Sequence, residues 1–285
     1  LTSKASFYSV LLMRTGSEEH LNALADGDRT LLRAARDAPL ESEAAAYEML
    51  NLPYVIPEMR EGTYEIELCR ENKVPDPITM SDLKGSIHNH STYSDGTNTL
   101  EEMAGAAREM GLQYLGMADH SQTAFYAGGL KEQDIIRQHR EIEALNEKLK
   151  PFRIFKGIES DILNDGSLDY PQEVLDSFDF VVASVHSGLN MDVNKATERL
   201  LGAIQHPGTT ILGHPTGRLL LNREGYPIDH KAIINACVKH GVVIEINANP
   251  WRLDLDWRWI RYGIDQGAMF SINPDAHETI GLHDM

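Results

Sequence analysis

The stretch Ile87-His88-Asn89-His90-Ser91 places two imidazoles where a short predicted β-strand ends. Other metal-type side chains follow later apolar runs in the same way. Their local sequences are Ser94-Asp95-Gly96, Ala118-Asp119-His120-Ser121, Gly157-Ile158-Glu159, Ser184-Val185-His186, Gly213-His214-Pro215 and Pro274-Asp275-Ala276-His277. A repeated strand-end position for histidine and carboxylate predicts a multinuclear metal site, and a site of that kind indicates hydrolytic chemistry.

The apolar runs are short, rich in β-branched or aromatic residues, and bounded by Gly, Asp or Pro, which is typical of buried parallel strands. They lie at residues 87, 114–117, 152–155, 178–182, 210–212, 242–246 and 269–272. A capping box at Thr99 and Glu102 predicts the start of the first intervening helix, and Gly111 predicts its end. Further helices are predicted at 131–150, 194–205, 230–240 and 254–266. This alternation favours a closed α/β barrel over an open doubly wound sheet.

In α/β barrels the active site lies at the carboxyl ends of the strands, because loops from every strand converge there. All the candidate metal ligands are predicted at that rim, namely His88, His90, Asp95, His120, Glu159, His186, His214, Asp275 and His277. The other six histidines fall in predicted helices, at the opposite rim or near a terminus. A structural histidine or a solvated carboxylate would explain any one of these residues alone, but does not explain nine in register.

Imidazole and carboxylate without thiolate suit zinc, manganese or iron better than they suit a structural zinc site. Two or three divalent ions can lower the pKa of a shared water and hold the attacking and leaving oxygens of a phosphate. Such a cluster fits phosphoester hydrolysis better than carbon chemistry, because a phosphodiester is anionic until its charge is masked.

Two longer motifs carry a family resemblance. From about Lys84 onward, over about 200 residues, the chain resembles a PHP (polymerase and histidinol phosphatase) domain. It is most similar to the PHP domain of bacterial and archaeal family X DNA polymerases, through Gly213-His214-Pro215-Thr216-Gly217-Arg218-Leu219-Leu220 and Glu245-Ile246-Asn247-Ala248-Asn249-Pro250. The resemblance implies a distorted (β/α)7 barrel with three divalent metal ions. The fold class is therefore α/β. The resemblance also implies that a small α+β segment derived from the polymerase, followed by a linker, precedes the barrel.

Carried over by position, the resemblance implies three overlapping ligand sets with Glu159 as a bridge between two ions. The first ion would take His88, His90, Glu159 and Asp275, the second Glu159, His186 and His214, and the third Asp95, His120 and His277. Manganese is the expected activating ion, and zinc or iron are alternatives.

Residues near the ligands supply candidate catalytic and substrate contacts. The candidate catalytic residues are Glu159, His186, Asp275 and Arg218, and the candidate substrate contacts are Arg218, Asn247, Asn249 and Arg252. Arg218 is favoured because a guanidinium binds phosphate oxygens bidentately, although an ordinary surface arginine is the alternative. We expect Asp161 and Asp165 to be solvated, although either could face the metals. Asp254 and Asp256 are interpreted as capping the start of a helix rather than as a polymerase metal pair.

Composition indicates a globular enzyme, since 42% of the 285 residues are hydrophobic and 24% are charged. No apolar run approaches the roughly 20 residues needed to span a bilayer, and no signal peptide opens the sequence. The two cysteines are far apart in sequence, so we expect no disulfide framework and a cytoplasmic location. A net charge of −17 argues against a broad DNA-coating surface.

We expect three regions: residues 1–50 as a partial polymerase palm and thumb segment, 51–84 as a proline-containing linker, and 85–285 as the PHP metallo-phosphoesterase domain. Five arginines could make the rim locally positive: Arg218, Arg223, Arg252, Arg258 and Arg261. The expected partner is a DNA 3′ end, bound weakly unless upstream polymerase domains help. The protein is expected to be a monomer with no membrane partner.

The sequence therefore predicts a manganese-dependent 3′ to 5′ exonuclease and 3′-end-processing activity that belongs to a family X repair polymerase. A small-molecule phosphatase of the histidinol-phosphate type is one alternative, because the same metal cluster can act on a phosphomonoester. A metal-stabilised scaffold for the polymerase is another, although a scaffold would be free to lose ligands.

Overall fold

A computed structural model describes residues 3–37 and 39–285. The chain divides into two compact units, Leu1–Ile78 and Thr79–Met285. Each has a hydrophobic core of its own, and the predicted metal ligands all belong to the second.

The first unit contains short helices and a two-stranded antiparallel sheet. Its helices are α1 (Phe7–Thr15), α2 (Glu18–Asn22), α3 (Leu31–Asp37), α4 (Glu43–Glu48) and α5 (Glu65–Arg70), and its strands are β1 (Leu24–Asp26) and β2 (Arg29–Thr30). Two 3₁₀ turns lie at Lys4–Ser6 and Pro57–Met59. Leu52, Val55 and Ile66 pack into the same core as Leu12 and Leu31. Much of the stretch predicted as a linker therefore contributes to the core of this unit.

Among the side chains that the structure describes, Arg60 is the largest that is almost completely buried, at 1% exposure. Its guanidinium donates to the Glu43 carboxylate at 2.6 Å, the Thr15 hydroxyl at 2.5 Å and the Val55 carbonyl at 2.9 Å. It also donates to the Tyr54 hydroxyl at 3.1 Å. A buried charge is tolerated only when it is paired in this way, so Arg60 joins α1, α4 and the segment after α4.

The second unit alternates strands with helices. Its strands are β3 (Gly85–Ser86), β4 (Tyr114–Met117), β5 (Arg153–Asp161), β6 (Phe180–Ser184), β7 (Ile211–Leu212), β8 (Val243–Asn247) and β9 (Phe270–Asn273). Its helices are α6 (Leu100–Glu109), α7 (Glu132–Lys148), α8 (Gln172–Leu175), α9 (Val193–Gln205), α10 (His230–His240) and α11 (Ile260–Gln266). Further 3₁₀ turns lie at Phe125–Ala127, Trp257–Trp259 and Thr279–His283.

All seven strands of this unit pair in parallel in chain order, β3 to β9. The two edges meet just beyond their strands, where Asn89 forms a bridge with Ala276 and His90 N donates to the Ala276 carbonyl at 2.8 Å. The Asn273 side chain also accepts from Ile87 N at 3.0 Å. The sheet is thus nearly closed, and the predicted α/β fold with a (β/α)7 barrel is confirmed.

Local sequence explains most of the helix boundaries. The predicted capping box is present at the start of α6, because Thr99 accepts from Glu102 N and the Glu102 carboxylate accepts from Thr99 N. Gly111 adopts a φ of 86° just after the helix ends, as predicted. Asp229 caps α10, and Gly241 closes it with a φ of 70°.

The helix predicted at 254–266 is wrong in its first half. The α-helix begins only at Ile260, after a 3₁₀ turn that Asp256 caps by accepting from Arg258 N at 3.1 Å. Asp254 instead lies buried and accepts from both the backbone and the hydroxyl of Thr216, at 2.9 and 3.0 Å. A long-range polar contact therefore outweighs the helical periodicity at this position.

The barrel is filled directly behind the predicted metal site. The ring of Phe180 lies across Gly157 on the neighbouring strand, where an added Cβ would approach its Cζ to 2.1 Å. Side chains alternate along a strand, so residues 157 and 159 face the same side of the sheet. Phe180 therefore closes the barrel behind Glu159, together with Val182 and Ile211.

Candidate metal centre

The structure brings all nine predicted ligands to the carboxyl rim of the barrel. They come from the loops after β3, β4, β6, β7 and β9 and, for Glu159, from β5 itself. Three groups could each hold an ion, with ligand atoms within 4.8 Å of one another. These groups are His90, Asp95, His120 and His277; His88, His90 and Asp275; and His120, Glu159 and His186.

Glu159 lies at the centre of the cluster with 1% exposure. Its Oε1 is 2.9 Å from His214 Nε2, 3.1 Å from His186 Nε2 and 3.2 Å from His88 Nε2. Its Oε2 is 3.0 Å from His120 Nδ1. A carboxylate with imidazoles on both oxygens has the surroundings that a bridge between two ions requires.

The donor atoms fit divalent ions because several are buried and, even where Glu159 is close, have no partner in hydrogen-bond geometry. These are His88 Nε2, His90 Nδ1, His120 Nδ1, His214 Nδ1 and Glu159 Oε2. An orphaned polar atom costs free energy unless something binds it, and imidazole nitrogen with carboxylate oxygen suits zinc, manganese or iron. The two cysteines, Cys69 and Cys237, are buried outside the cluster.

Electrostatics favour the protonation states in which Glu159 and His90 bind metal, whereas at His88, His186 and His277 the effect of burial is outweighed by nearby carboxylates, which raise the pKa. Burial would raise the pKa of Glu159, but imidazoles led by His186 and His88 hold that pKa well below its ordinary value. Burial, reinforced by the neighbouring imidazole of His277, lowers the pKa of His90 to about 3. Glu159 is therefore ionised and His90 neutral at neutral pH, as metal ligands must be.

Two ligands are held in strained backbone conformations. His214 has a φ of 22° and Asp275 a φ of 52°, in the left-handed region that non-glycine residues rarely adopt. Conformations of this kind cost on the order of 1–3 kcal/mol each and cluster at functional sites.

Glu245, to which the sequence assigned no role, organises the buried side of the centre. Its Oε1 accepts from His88 Nδ1 at 2.6 Å and Asn273 Nδ2 at 3.1 Å. Its Oε2 accepts from His214 N at 2.7 Å and Asn247 Nδ2 at 3.2 Å. An outer carboxylate fixes the tautomer and the orientation of a ligand imidazole. The sequence feature that could have indicated this role is the position of Glu245, a charged residue, within the otherwise apolar run 242–246.

Asp161 differs from its sequence expectation, because it is buried rather than solvated. Its Oδ1 lies 2.5 Å from His186 Nδ1, and its Oδ2 accepts from the Thr123 hydroxyl at 3.1 Å. Asp165 is exposed, as expected, and accepts from Ser167. Asp161 thus orients His186 as Glu245 orients His88.

The two candidate arginines occupy different places. Arg218 donates to Asp256 at 2.7 Å, to the Arg252 carbonyl at 2.8 Å and to the Leu253 carbonyl. It therefore fastens one loop to the next. Arg252 lies against the ligands instead, with Nε 3.2 Å from Asp275 Oδ2 and with Nη1 buried and lacking a hydrogen-bond partner.

The two candidate asparagines also separate. Asn247 is buried and donates to Asp275 Oδ2 at 3.1 Å, so it supports a ligand. Asn249 is partly exposed and accepts from Trp251 N at 3.0 Å. Asn249 and Arg252 line a cavity of about 270 Å³ that Asp275 and His277 also border.

Comparison with known proteins places these features in a family. Residues 86–249 match the model of the PHP domain. The chain is 41% identical over 244 residues to the DNA polymerase/3′-5′ exonuclease PolX of Bacillus subtilis (strain 168), an alignment that covers 86% of this chain and 42% of that protein. It is 32% identical over 171 residues to a probable phosphatase of Thermoanaerobacter sp. (strain X514), covering 56% of this chain and 62% of the relative. The chain thus spans less than two thirds of either relative.

Solved structures share the fold at low identity. Histidinol phosphate phosphatase from Lactococcus lactis subsp. lactis, complexed with zinc, L-histidinol and phosphate, aligns with a TM-score of 0.53 and 17% identity. The alignment covers 70% of this chain and 90% of that one. Within residues 3–37 and 39–285, no helix combines the length and apolar character needed to cross a membrane.

Proposed function

Because this chain belongs to the PHP domain family, we propose that its barrel is a metal-dependent phosphoesterase that removes nucleotides from the 3′ ends of DNA. The observation that carries the proposal is the buried Glu159 carboxylate, which is enclosed by four imidazoles and lies beside unpartnered nitrogens of His88 and His120. Three divalent ions, with manganese expected for activity and zinc or iron as alternatives, are the cofactors proposed for this centre.

Bound divalent ions would supply charge neutralisation of the phosphate and a lowered pKa for the attacking water. The ligand side chains at the carboxyl rim of the barrel would hold those ions. Arg252 would bind a non-bridging phosphate oxygen, because its Nε lies beside Asp275 and its Nη1 has no hydrogen-bond partner. Arg218 would act indirectly, since its guanidinium is engaged with Asp256 and with the loop that carries Arg252. Asn249, in the cavity beside the ligands, remains a proposed substrate contact.

DNA is the proposed substrate because PolX aligns with 86% of this chain, whereas the probable phosphatase aligns with 56%. Residues 1–50 are proposed to derive from the polymerase region. The net charge of −17 makes broad DNA binding unfavourable, so the barrel alone would grip a 3′ end weakly. Further domains of a family X polymerase would supply the remaining affinity, and the protein is proposed to act as a monomer in DNA repair.

A histidinol-phosphate-type phosphatase is the second candidate. It is favoured by the probable phosphatase relative and by the same donor set, which could act equally on a phosphomonoester. A scaffold that binds metal without catalysis would also retain the fold. The exonuclease would hydrolyse DNA, the phosphatase would hydrolyse a phosphomonoester, and the scaffold would hydrolyse neither.

The decisive experiment is Mn²⁺-dependent digestion of a 5′-labelled oligonucleotide, with a chelator control, by the parent protein and by His186→Ala. His240→Ala, an exposed histidine at the end of α10, is the matched control. A ladder that shortens from the 3′ end with the parent and His240→Ala, but not with His186→Ala, is expected. Hydrolysis of histidinol phosphate alone would favour the phosphatase, and hydrolysis of neither substrate by metal-loaded protein would favour the scaffold.

The role of Arg252 is tested by comparing Arg252→Ala with Arg218→Ala in the same assay. Loss of a hydrogen bond to charged phosphate costs about 1.5–3 kcal/mol, so Arg252→Ala should lower kcat/KM roughly 10- to 150-fold. Arg218→Ala should have the smaller effect on kcat/KM and the larger effect on the thermal midpoint. The reverse order would transfer the phosphate contact to Arg218.

A further inference from the structure

A cavity of about 270 Å³ adjoins the metal ligands on one side of the rim. Apart from Asp275 and His277, its lining residues are Leu219, Leu220, Asn222, Asn249, Trp251 and Arg252. They come from the loop after β7 and the loop after β8, so the cavity lies between two neighbouring loops of the barrel.

The side chain of Trp251 is 65% exposed, yet both polar groups of its backbone are hydrogen-bonded. Its N–H donates to Asn249 Oδ1 at 3.0 Å, and its carbonyl accepts from Leu220 N at 2.6 Å. Arg218 ties the following residues to the same neighbouring loop through the Arg252 carbonyl at 2.8 Å. Packing of the protein core does not account for a large exposed indole on a fixed backbone, because most of its surface remains in water.

We propose that this cavity is a nucleobase subsite, in which the indole of Trp251 stacks on a base of the nucleotide chain whose phosphate lies at the metal centre. The inference rests on the proposed phosphodiesterase function and names what the site recognises besides phosphate. Every base has a π-face, so stacking on an exposed aromatic ring tolerates any sequence. The amides of Asn222 and Asn249 line the same cavity and can meet the polar edges of a base.

Trp251, Arg252 and the ligand Asp275 line the same cavity, so the base position and the phosphate position adjoin each other. Arg252 contacts the ligand Asp275 with Nε at 3.2 Å, while its Nη1 has no hydrogen-bond partner. A base against Trp251 would therefore leave its attached phosphate near Arg252 and the metal ligands. A small phosphomonoester without a base would use Arg252 and the ligands but leave Trp251 in water.

A second cavity, of about 590 Å³, continues the first and shares Leu219, Leu220 and Asn222 with it. Arg218, Arg223 and Arg258 line this second cavity. Two acidic groups oppose them, because Glu224 lines the cavity and Asp256 pairs with Arg218 and Arg258 at 2.7 and 2.8 Å. The charged groups of this second cavity therefore sum to a positive charge, although the whole chain has a net charge of −17. A positive cavity favours a path for the next phosphates of a polynucleotide.

The test is binding of two fluorescent hexamers to Mn²⁺-loaded protein, measured by anisotropy. One is phosphorothioate-linked oligothymidylate, which resists hydrolysis, and the other has the same backbone with abasic residues. The variants are Trp251→Ala, Trp251→Phe and Trp257→Ala. Trp257 is a matched control, since it is 42% exposed but lines neither cavity. Mn²⁺ titration of chelator-treated protein checks that each variant keeps its metal centre.

The parent should prefer the thymidine hexamer over the abasic one by about fivefold or more, the range that stacking of one base supplies. Trp251→Ala should abolish this preference, Trp251→Phe should keep most of it, and Trp257→Ala should leave it unchanged. A parent without preference, a preference that survives Trp251→Ala, or an equal loss in Trp257→Ala would overturn the subsite. If the parent cleaves no phosphodiester, the proposed function fails, but the binding comparison still tests the base contact.

Discussion

Replacing Glu245 with glutamine should disturb the metal centre without adding or removing bulk. Each carboxylate oxygen of Glu245 accepts two hydrogen bonds in the buried core of the site. Oε1 faces His88 Nδ1 and Asn273 Nδ2, and Oε2 faces His214 N and Asn247 Nδ2. In Glu245→Gln an amide NH₂ replaces one oxygen, so one pair of donors must face another donor whichever way the amide is turned.

The size of the effect follows from the two lost hydrogen bonds. A hydrogen bond to a charged group contributes about 1.5–3 kcal/mol, so the loss is at least about 3 kcal/mol. For a domain of this size, 1 kcal/mol moves Tm by roughly 2–4 °C, and Tm should therefore fall by roughly 6–12 °C. Freed from its anionic partner, His88 should also bind metal less well, by about 10- to 100-fold.

The assay is thermal unfolding of the barrel with and without Mn²⁺, together with Mn²⁺ titration of chelator-treated protein. Glu198→Gln, an exposed glutamate on α9, is the matched control and should behave like the parent. If Glu245→Gln kept both the parent's Tm and its Mn²⁺ affinity, the assignment of Glu245 as the support of His88 and His214 would be refuted.

Two further predictions test other buried carboxylate contacts. Asp161→Asn removes the anionic partner of His186 and should weaken Mn²⁺ binding about 10- to 100-fold in titration, whereas Asp165→Asn should not. Equal affinities in these two variants would contradict that role. Arg60→Met leaves a nearly buried carboxylate of the first unit without its guanidinium partner and should destabilise that unit by about 3–5 kcal/mol, measured by hydrogen exchange in α1 and α4. The exposed Arg33→Met is its control, and similar protection in both variants would count against the burial argument.

Local sequence located the barrel strands and the ligands because both depend on short-range features. A buried parallel strand appears in the sequence as a short apolar run. A residue at the carboxyl end of that strand follows the run closely in the sequence. The predicted strands 114–117 and 269–272 lie within a residue of β4 and β9, and the ligands follow them directly. The helix prediction at 254–266 failed in its first half because Asp254 is stabilised by Thr216, which is 38 residues away.

The supporting contacts could not be inferred from sequence, because they join residues far apart in the chain. Glu245 reaches His88 across 157 positions, and nothing in the local sequence around either residue indicates the pairing. The same holds for the arginines. The sequence favoured Arg218 as the phosphate contact, but loop packing binds Arg218 to Asp256 and leaves Arg252 with an unpartnered nitrogen. Residue type and strand-end position thus determined the class of chemistry, whereas the direction of each side chain was decided by tertiary packing, since buried polar atoms must find partners wherever the fold supplies them.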